Sequence, residues 1–530
     1  MSKFNRKAAV GRAPDTVTFE GGAAYTRDAK SDLVLLAVVN MVGEDTFYEK
    51  AADRDNRFRD LVRTVAVEDG EWLAAFVRWL RGEANMRSAA LVAAAEGVRA
   101  RLEAGLHGVN RRLVDAVCLR ADEPGEFLAY WTATYGRTLP KPVKRGVGDA
   151  ARRLYNERSL LKYDAGTARD FRFADVLELT HPAPDAAKPW QGELFKYAID
   201  RRHQRDTVPQ GLRTVRARAE LMALPVEERR AVVERPDAAQ TLRAAGVTWE
   251  ALAGWLQGPM DATAWGAVLP SMGTMALIRN LRNFDEAGVP DEVTDQVLAR
   301  ISDPAEVARS RQFPYRYLSA YRAAPSLRWG HALDKALTAA TANIPALPGR
   351  TLVLVDTSAS MTGTVSARSR VRHVDVAALF GVALAYRGCD VDLVGYANGW
   401  FLHDITTGGS VLREIDRFCE RIGEVGHGTE TARTLLDTFD KDAHERVVII
   451  SDMQAFQAWS SHGQISVSEA VPADVPVFGV NTTGYAAASI DATRHQRFEI
   501  GGFSDKLFTM ISLVGDRGRT AAWPWETAAR

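Results

Sequence analysis

The sequence predicts a protein of two parts, an α-solenoid of helical repeats over residues 1–345 and a doubly wound α/β domain over residues 346–530. Its 530 residues are too many for one hydrophobic core. Through the first 340 residues, apolar side chains recur at three- and four-residue spacings, and no convincing strand interrupts them. After the segment 343–349, apolar strand-like runs alternate with helical patterns, which is typical of an α/β domain.

The helical part is predicted from several short amphipathic segments. Residues 71–81, 88–102 and 112–120 have the apolar spacing of helices. Gly and Pro pairs, such as Pro124-Gly125 and Gly258-Pro259, separate such segments. Many short helices in a row favour stacked helix pairs over one bundle. No fixed repeat period is visible, so this prediction rests on length and helix content.

The α/β part begins with residues 351–355, a continuous apolar run that predicts a strand buried on both faces of a parallel sheet. Further strands are predicted at 391–396, 446–451 and 475–480, and helices at 374–386, 411–421 and 429–439. In such domains, ligands bind where loops leave the carboxyl ends of the strands.

Composition excludes several classes of protein. With 46% hydrophobic and 25% charged residues, the chain has the composition of an ordinary globular protein. Its three cysteines lack the spacing of a zinc site or a disulfide framework. No apolar stretch is long enough to span a bilayer, and the basic N-terminus lacks the apolar region of a secretory signal. We therefore expect a cytoplasmic protein.

Oxygen-bearing side chains follow two of the predicted strands and precede one predicted helix. Asp356, Ser358 and Ser360 alternate directly after strand 351–355, Thr429 stands in a Gly-rich loop, and Asp452 ends strand 446–451. Hydroxyl and carboxylate oxygens suit a hard cation, Mg²⁺ or in its place Mn²⁺. Asp, Ser and Thr also cap helices and turns, but three such loops in order favour a metal site. No nucleophile elbow, P-loop or paired-carboxylate pattern accompanies them, so we expect a binding protein and no enzyme.

Formal net charge is zero, but the charges are unevenly divided. Residues 1–350 carry 51 basic against 45 acidic residues, a net of +6, and residues 351–530 carry 16 against 22, a net of −6. Between residues 137 and 162 there are eight basic residues and two acidic ones. Lys141, Arg145 and Arg152 fall on one face of a helix that begins near Pro142. Such a face would hold phosphates, although a solvated surface is the common alternative.

The three oxygen-bearing loops resemble the metal-ion-dependent adhesion site of von Willebrand A domains. In that family the two serines and the threonine ligate the ion, and the aspartates act directly or through water. The resemblance implies the same roles for Ser358, Ser360, Thr429, Asp356 and Asp452. It also implies an open position that takes an acidic group from a partner.

The helical part resembles the TROVE module of Ro autoantigen proteins and their bacterial orthologs. The segments that carry the resemblance are FEGGAAY at 19–25, RSAAL at 87–91, LLKY at 160–163, VLELTHP at 176–182 and MALIRNL at 275–281. The resemblance implies a monomeric ring of HEAT-like repeats closed by the A-like domain. It further implies RNA contacts at Lys162 and His181, although residues 183–185, Ala-Pro-Asp, replace a more basic stretch.

These observations favour an RNA-binding scaffold of the Ro type. The family binds small structured Y RNAs on a basic outer surface and passes single-stranded 3′ ends of misfolded or immature RNAs into a central hole. Bacterial relatives use a Y-type RNA to tether an exoribonuclease such as polynucleotide phosphorylase. One alternative is a metal-dependent protein–protein adhesion scaffold with no RNA role. Another is a metal nuclease, which is disfavoured because such enzymes need carboxylate-rich sites.

Overall fold

A computed structural model of the chain describes residues 12–39, 42–164, 171–205, 207–324, 326–342, 344–406, 408–461 and 463–503, together with 523 and 525. The described residues divide into two compact units. The helical unit comprises residues 62–310 and 323–329, and the α/β unit comprises residues 1–61, 311–322 and 330–530.

Helices make up most of the chain before residue 341. Two short strands, β1 (Thr16–Val17) and β2 (Ala23–Ala24), precede them as an antiparallel pair. The helices that follow are α1 (Ala29–Val39), α2 (Ala51–Glu68), α3 (Gly70–Gly82), α4 (Arg87–Glu103), α5 (Asn110–Val117), α6 (Glu123–Tyr135), α7 (Lys141–Leu154), α8 (Glu157–Tyr163), α9 (Phe173–Thr180), α10 (Pro189–Arg202), α11 (Arg213–Met222), α12 (Val226–Glu234), α13 (Ala238–Ala244), α14 (Trp249–Leu256), α15 (Ala262–Val268), α16 (Thr274–Arg279), α17 (Leu281–Glu286), α18 (Asp291–Ser302), α19 (Pro304–Ser310), α20 (Tyr315–Ala323) and α21 (Gly330–Ala340).

Helix α7 shows how the helical unit separates its core from its charges. Its buried residues include Val143, Val147 and Ala150, which recur at the spacing of one helix face. Gly146 lies on the same face, where a Cβ atom would stand 2.6 Å from Cβ of Val114 on α5. The absence of a side chain therefore lets α7 pack closely on α5, and this packing leaves the opposite, basic face of α7 exposed.

The α/β unit is built on a six-stranded sheet. Its strands are β3 (Arg350–Asp356), β4 (Asp390–Tyr396), β5 (Trp400–His403), β6 (Arg446–Ser451), β9 (Val477–Asn481) and β10 (Arg497–Gly501), and its helices after β3 are α22 (His373–Tyr386), α23 (Val411–Cys419) and α24 (Thr431–Thr438). Strands β7 (Ala458–Ser460) and β8 (Gly463–Ile465) form a separate hairpin. The sheet order is β10-β9-β6-β3-β4-β5, and all neighbours are parallel except the edge pair β4 and β5.

Strand β3 lies at the point where the winding of the sheet reverses. The chain passes from β3 to β4 on one side and later returns to β6 on the other side of β3. In open α/β sheets, such a reversal leaves a crevice at the carboxyl ends of the strands. Asp356 ends β3 and Ser451 ends β6, so the loops that carry the predicted metal ligands start at this crevice.

The N-terminal residues pack on the α/β unit. Tyr25 pairs with Ala488 in an antiparallel bridge, and Gly21 pairs likewise with Phe456. Arg27 makes a bidentate ion pair with Glu499 on β10, at 2.6 Å for each bond, and both side chains are buried. The compact units therefore differ from the predicted division at residue 345, because residues 1–61 group with the α/β unit.

The main sequence predictions agree with these elements. A helical region followed by a doubly wound α/β sheet is confirmed, and each predicted strand and helix has a counterpart. The expectation that the first 340 residues contain no strand is wrong, since β1 and β2 form there. The sequence patterns also did not predict β5 or β10, whose short lengths and mixed burial give weak apolar signals. In the part of the chain that the structure describes, no helix is long and apolar enough to cross a membrane.

Candidate metal centre and basic helix face

Three hydrogen bonds join the loops predicted to bind a metal. We call the loop that carries Asp356, Ser358 and Ser360 the first loop, the loop that carries Thr429 the second, and the loop that begins with Asp452 the third. The Ala359 amide of the first loop donates to the His427 carbonyl of the second loop at 3.0 Å. The first loop is tied to the start of the third by the Ser451 hydroxyl, which donates to Oδ2 of Asp356 at 2.6 Å. The second and third loops are joined by the Phe456 amide, which donates to the Thr429 carbonyl at 2.9 Å. The fold therefore brings the three loops together as the sequence predicted.

The predicted ligands themselves are buried at this junction. Asp356 and Asp452 have no exposed surface, and Ser358, Ser360 and Thr429 are at most 3% exposed. The hydroxyl oxygens of the two serines lie 3.1 Å apart. His427, which the sequence analysis did not count as a ligand, is exposed.

Among the described residues, the two carboxylates have no positively charged partner. No positively charged side chain is among the main influences on the pKa of Asp356 or Asp452, and Oδ2 of Asp452 is buried without a hydrogen bond from the described residues. Burial raises the pKa of Asp356, while hydrogen bonds from Ser451 and Ser358 oppose the rise. Burial, together with the nearby charge of Asp356, raises the pKa of Asp452 to about 7.

This chemistry fits a divalent cation. Buried carboxylates without a partner are costly, and a bound cation offsets that cost. Among the described residues, no group of three or more His, Cys, Asp or Glu side chains is placed to hold a metal. An ion here would therefore depend on Ser358, Ser360 and Thr429 as well as on the two aspartates, a donor set that suits Mg²⁺ or Mn²⁺.

The raised pKa of Asp452 predicts a pH-dependent stability in the absence of metal. Between the ordinary carboxyl pKa of 3.8 and about 7, the folded chain retains a proton that the unfolded chain has lost, so stability falls as pH rises through this window. When a chelator keeps the protein free of metal, we expect its unfolding temperature to be higher at about pH 6 than at about pH 8. Asp452→Asn should reduce this difference. The exposed Asp390→Asn is the control, and an equal reduction in both variants would contradict the prediction.

Lys141, Arg145 and Arg152 lie on the exposed face of α7, as predicted. Arg152 forms an ion pair with Asp185 at 3.4 Å. Lys141 and Arg145 form no ion pair with any residue that the structure describes. These two side chains are therefore the freest cations of the predicted set.

His181 and Lys162 have different surroundings. His181 is exposed in a left-handed conformation at the end of α9, and its neighbours Thr180 and Pro182 lie beside Gly148 of α7. The structure thus brings His181 close to α7. Lys162 is exposed on α8, where its ammonium group lies 5.1 Å from the centroid of the Tyr163 ring.

A second arginine-rich segment, residues 201–218, is largely engaged in the protein itself. Arg201 pairs with the buried Asp164 at 2.7 Å, and Arg202 pairs with Asp175 at 3.3 Å. Arg218 donates to the carbonyl of Gly246. The charges of Arg201 and Arg202 are therefore offset by acidic residues from other parts of the helical unit.

Several residues at the candidate metal centre were not predicted. Ser451 holds Asp356, and Asn398 accepts hydrogen bonds from the amides of His427 and Gly428 at 2.9 and 3.0 Å. Burial raises the pKa of Asp452, and the charge of Glu20 adds to the rise. Burial likewise raises the pKa of Tyr48, and the charge of Asp452 adds to that rise. Only the position of Ser451 at a strand end gave a sequence signal; the others come from distant parts of the chain.

The fold and the site together define a class, a helical-repeat protein with an α/β unit that carries a hydroxyl-rich candidate metal centre. Residues 246–329 match the family model of the TROVE domain. The chain is similar to the Ro (RSR) protein of Deinococcus radiodurans, with 22% sequence identity and a TM-score of 0.58 over 85% of this chain and 92% of that crystal structure's chain. A comparison with curated protein sequences finds no match. The predicted resemblance to bacterial Ro proteins with a TROVE domain is confirmed.

Proposed function

We propose that the chain is an RNA-binding scaffold of the Ro type that acts in RNA quality control or maturation. It binds a small structured Y-type RNA on basic surface residues, and it receives the single-stranded 3′ ends of misfolded or precursor RNAs in a central hole. The match of residues 246–329 to the TROVE domain and the fold shared with a bacterial Ro protein support this proposal.

The exposed face of α7 is the observation that carries the proposal. Lys141 and Arg145 lie there without an ion-pair partner among the described residues, and His181 lies beside the same helix. Free cations on one helix face bind phosphates and make binding sensitive to salt. We assign RNA contacts to Lys141, Arg145, Arg152, Lys162 and His181.

The candidate metal centre has a separate role in this proposal. Mg²⁺ or Mn²⁺ is held by Asp356, Ser358, Ser360, Thr429 and Asp452, and it organises the loops of the α/β unit. The buried carboxylates also favour a second candidate function, a metal-dependent adhesion scaffold that grips an acidic group of a protein partner. The two functions differ in whether RNA is bound at all.

The proposal also concerns partners and location. The protein acts in the cytoplasm as a monomeric ring, and a Y-type RNA tethers an exoribonuclease such as polynucleotide phosphorylase to it. The chain itself binds and presents RNA and performs no chemistry on it.

Structured RNA with a free 3′ tail should bind more tightly than a blunt hairpin of the same stem. We expect a difference of about tenfold or more, because each unpaired base that stacks on the protein contributes about 1–3 kcal/mol. Gel-shift titrations of one hairpin, with and without a 3′ tail, measure this difference. A hairpin with a 5′ tail of the same sequence controls for length and charge.

Equal affinities for all three RNAs would contradict the proposal that a central hole receives 3′ ends. They would not contradict RNA binding by the basic surface residues. No binding of any RNA would favour the adhesion scaffold.

A further inference from the structure

The N-terminal segment of the α/β unit is fixed to the third loop of the candidate metal centre. The Thr18 hydroxyl donates to the Ala455 carbonyl at 2.7 Å, and the Phe19 amide donates to Oε1 of Gln454 at 2.9 Å. These contacts lie two and three residues after Asp452. Residues 18–22 are therefore held next to a predicted metal ligand.

Gly22 makes this close approach possible. A Cβ atom at residue 22 would lie 2.2 Å from the carbonyl oxygen of Ala455, a distance that real Cβ atoms do not adopt. The bridge between Gly21 and Phe456 extends the same contact. The pattern Glu20-Gly21-Gly22 thus places a glutamate where the two backbones run side by side.

Three aromatic rings pack together next to Glu20. Phe19 and Tyr48 stack with their ring centroids 4.8 Å apart and their planes 4° from parallel. Tyr485 meets both rings edge-on at 5.5 Å. The Tyr48 hydroxyl donates a hydrogen bond to Oε1 of Glu20, so the side chain of Glu20 is anchored on this ring cluster.

The Glu20–Tyr48 pair is also linked to the candidate metal centre. The Tyr48 hydroxyl faces Glu20, and its ring packs on Phe19, whose amide bonds Gln454 two residues after Asp452. At the same place, Oδ2 of Asp452 is buried without a partner.

We propose that the Glu20–Tyr48 pair fills the open side of the candidate metal centre, the side that would otherwise receive an acidic group from outside the chain. The N-terminal segment is thus a built-in cap on the centre. Glu20 supplies the negative charge, and the Tyr48 hydroxyl anchors it next to the residues that follow Asp452. This inference rests on the proposed ion binding of the α/β unit, and it does not depend on RNA binding.

Mn²⁺ titration calorimetry of the full chain tests the cap, in carboxylate-free buffer and again with saturating acetate as a probe for an external carboxylate. In the parent, acetate should leave the Mn²⁺ affinity unchanged because Glu20 already fills the open side. Glu20→Gln should bind Mn²⁺ about tenfold more weakly, which is the effect typical of residues that support metal ligands. Acetate should then restore part of the lost affinity.

Two further variants complete the design. Tyr48→Phe keeps the ring stack but removes the hydroxyl that anchors Glu20, so its Mn²⁺ affinity should become sensitive to acetate. Glu420→Gln changes an exposed glutamate elsewhere in the α/β unit and should behave like the parent.

An acetate effect in the parent as large as in Glu20→Gln would overturn the cap. So would an unchanged Mn²⁺ affinity in Glu20→Gln when Asp356→Ala abolishes binding, and this outcome would leave the metal centre itself standing. If the parent binds no Mn²⁺, the proposed metal centre fails and the cap fails with it.

Discussion

Replacing Lys141, Arg145 and Arg152 together by glutamate is expected to lower RNA affinity by orders of magnitude at low salt. The three side chains share the exposed face of α7, and the change removes three phosphate partners and adds three repulsive charges. If each contacts one phosphate, the slope of log affinity against log salt should flatten by about 0.9 per contact for duplex-like RNA. Gel shifts over a series of salt concentrations measure both quantities.

The structure also ranks the three residues. Arg152 already pairs with Asp185 at 3.4 Å, whereas Lys141 and Arg145 have no ion-pair partner among the described residues. Because an exposed ion pair contributes little and competes with a phosphate, Arg152→Glu alone should have the smallest single effect.

A matched control changes three exposed basic residues of the α/β unit, Arg413, Arg433 and Lys441, to glutamate. The change in net charge is the same, so a general electrostatic effect would weaken RNA binding in both triple variants alike. Such a result would contradict the assignment of RNA binding to α7. We expect the control to keep most of its affinity.

Asp356→Ala is expected to abolish divalent-ion binding while the fold remains. Asp356 lies at the end of the central strand β3, and its carboxylate accepts hydrogen bonds from the Ser451 hydroxyl at 2.6 Å and the Ser358 amide at 2.9 Å. Losing these acceptors costs about 1–3 kcal/mol. Removing a buried carboxylate that has no cationic partner among the described residues offsets part of this cost. Mn²⁺ calorimetry and thermal unfolding followed by circular dichroism measure the two effects.

Two controls make this result specific. Asp356→Asn keeps the shape of the side chain and should also lose the ion, which separates loss of the charge from loss of packing. Asp390→Ala removes an exposed aspartate from the first position of β4 and should retain ion binding. Unchanged ion binding in Asp356→Ala would mean that the three loops form no metal centre.

The Asp356→Ala variant should also keep its RNA affinity, because the phosphate-binding residues are assigned to the helical unit. If this variant loses RNA while the α7 variant keeps it, the roles of the two units are reversed. The ion would then have to bridge a phosphate to Ser358 and Ser360.

Local sequence patterns predicted the elements well. The apolar run at 351–355 became the central strand β3, and the helix spacing at 88–102 became α4. The positions of the loops of the candidate metal centre were also predictable, since Asp356, Thr429 and Asp452 stand next to strands or helices of the α/β domain. Periodicity and strand ends are local properties, and a single sequence displays them directly.

Contacts between distant segments were not predictable in this way. Arg201, for example, pairs with Asp164, which lies 37 residues away in the sequence. The edge strand β5 and the hairpin of β7 and β8 are too short to show a clear period.

The sequence by itself determined that the chain has a helical region and an α/β region, and it identified the side chains of the candidate metal centre and of the basic α7 face. Only the tertiary structure decided that the N-terminal segment belongs to the α/β unit and that it lies against the residues that follow Asp452. The Thr18 contact with Ala455 spans 437 residues of sequence. Its partners are a hydroxyl and a backbone carbonyl, groups that occur throughout any chain, so no local pattern identifies which two will meet. The contact forms because the fold of the α/β unit packs Gly22 against the third loop.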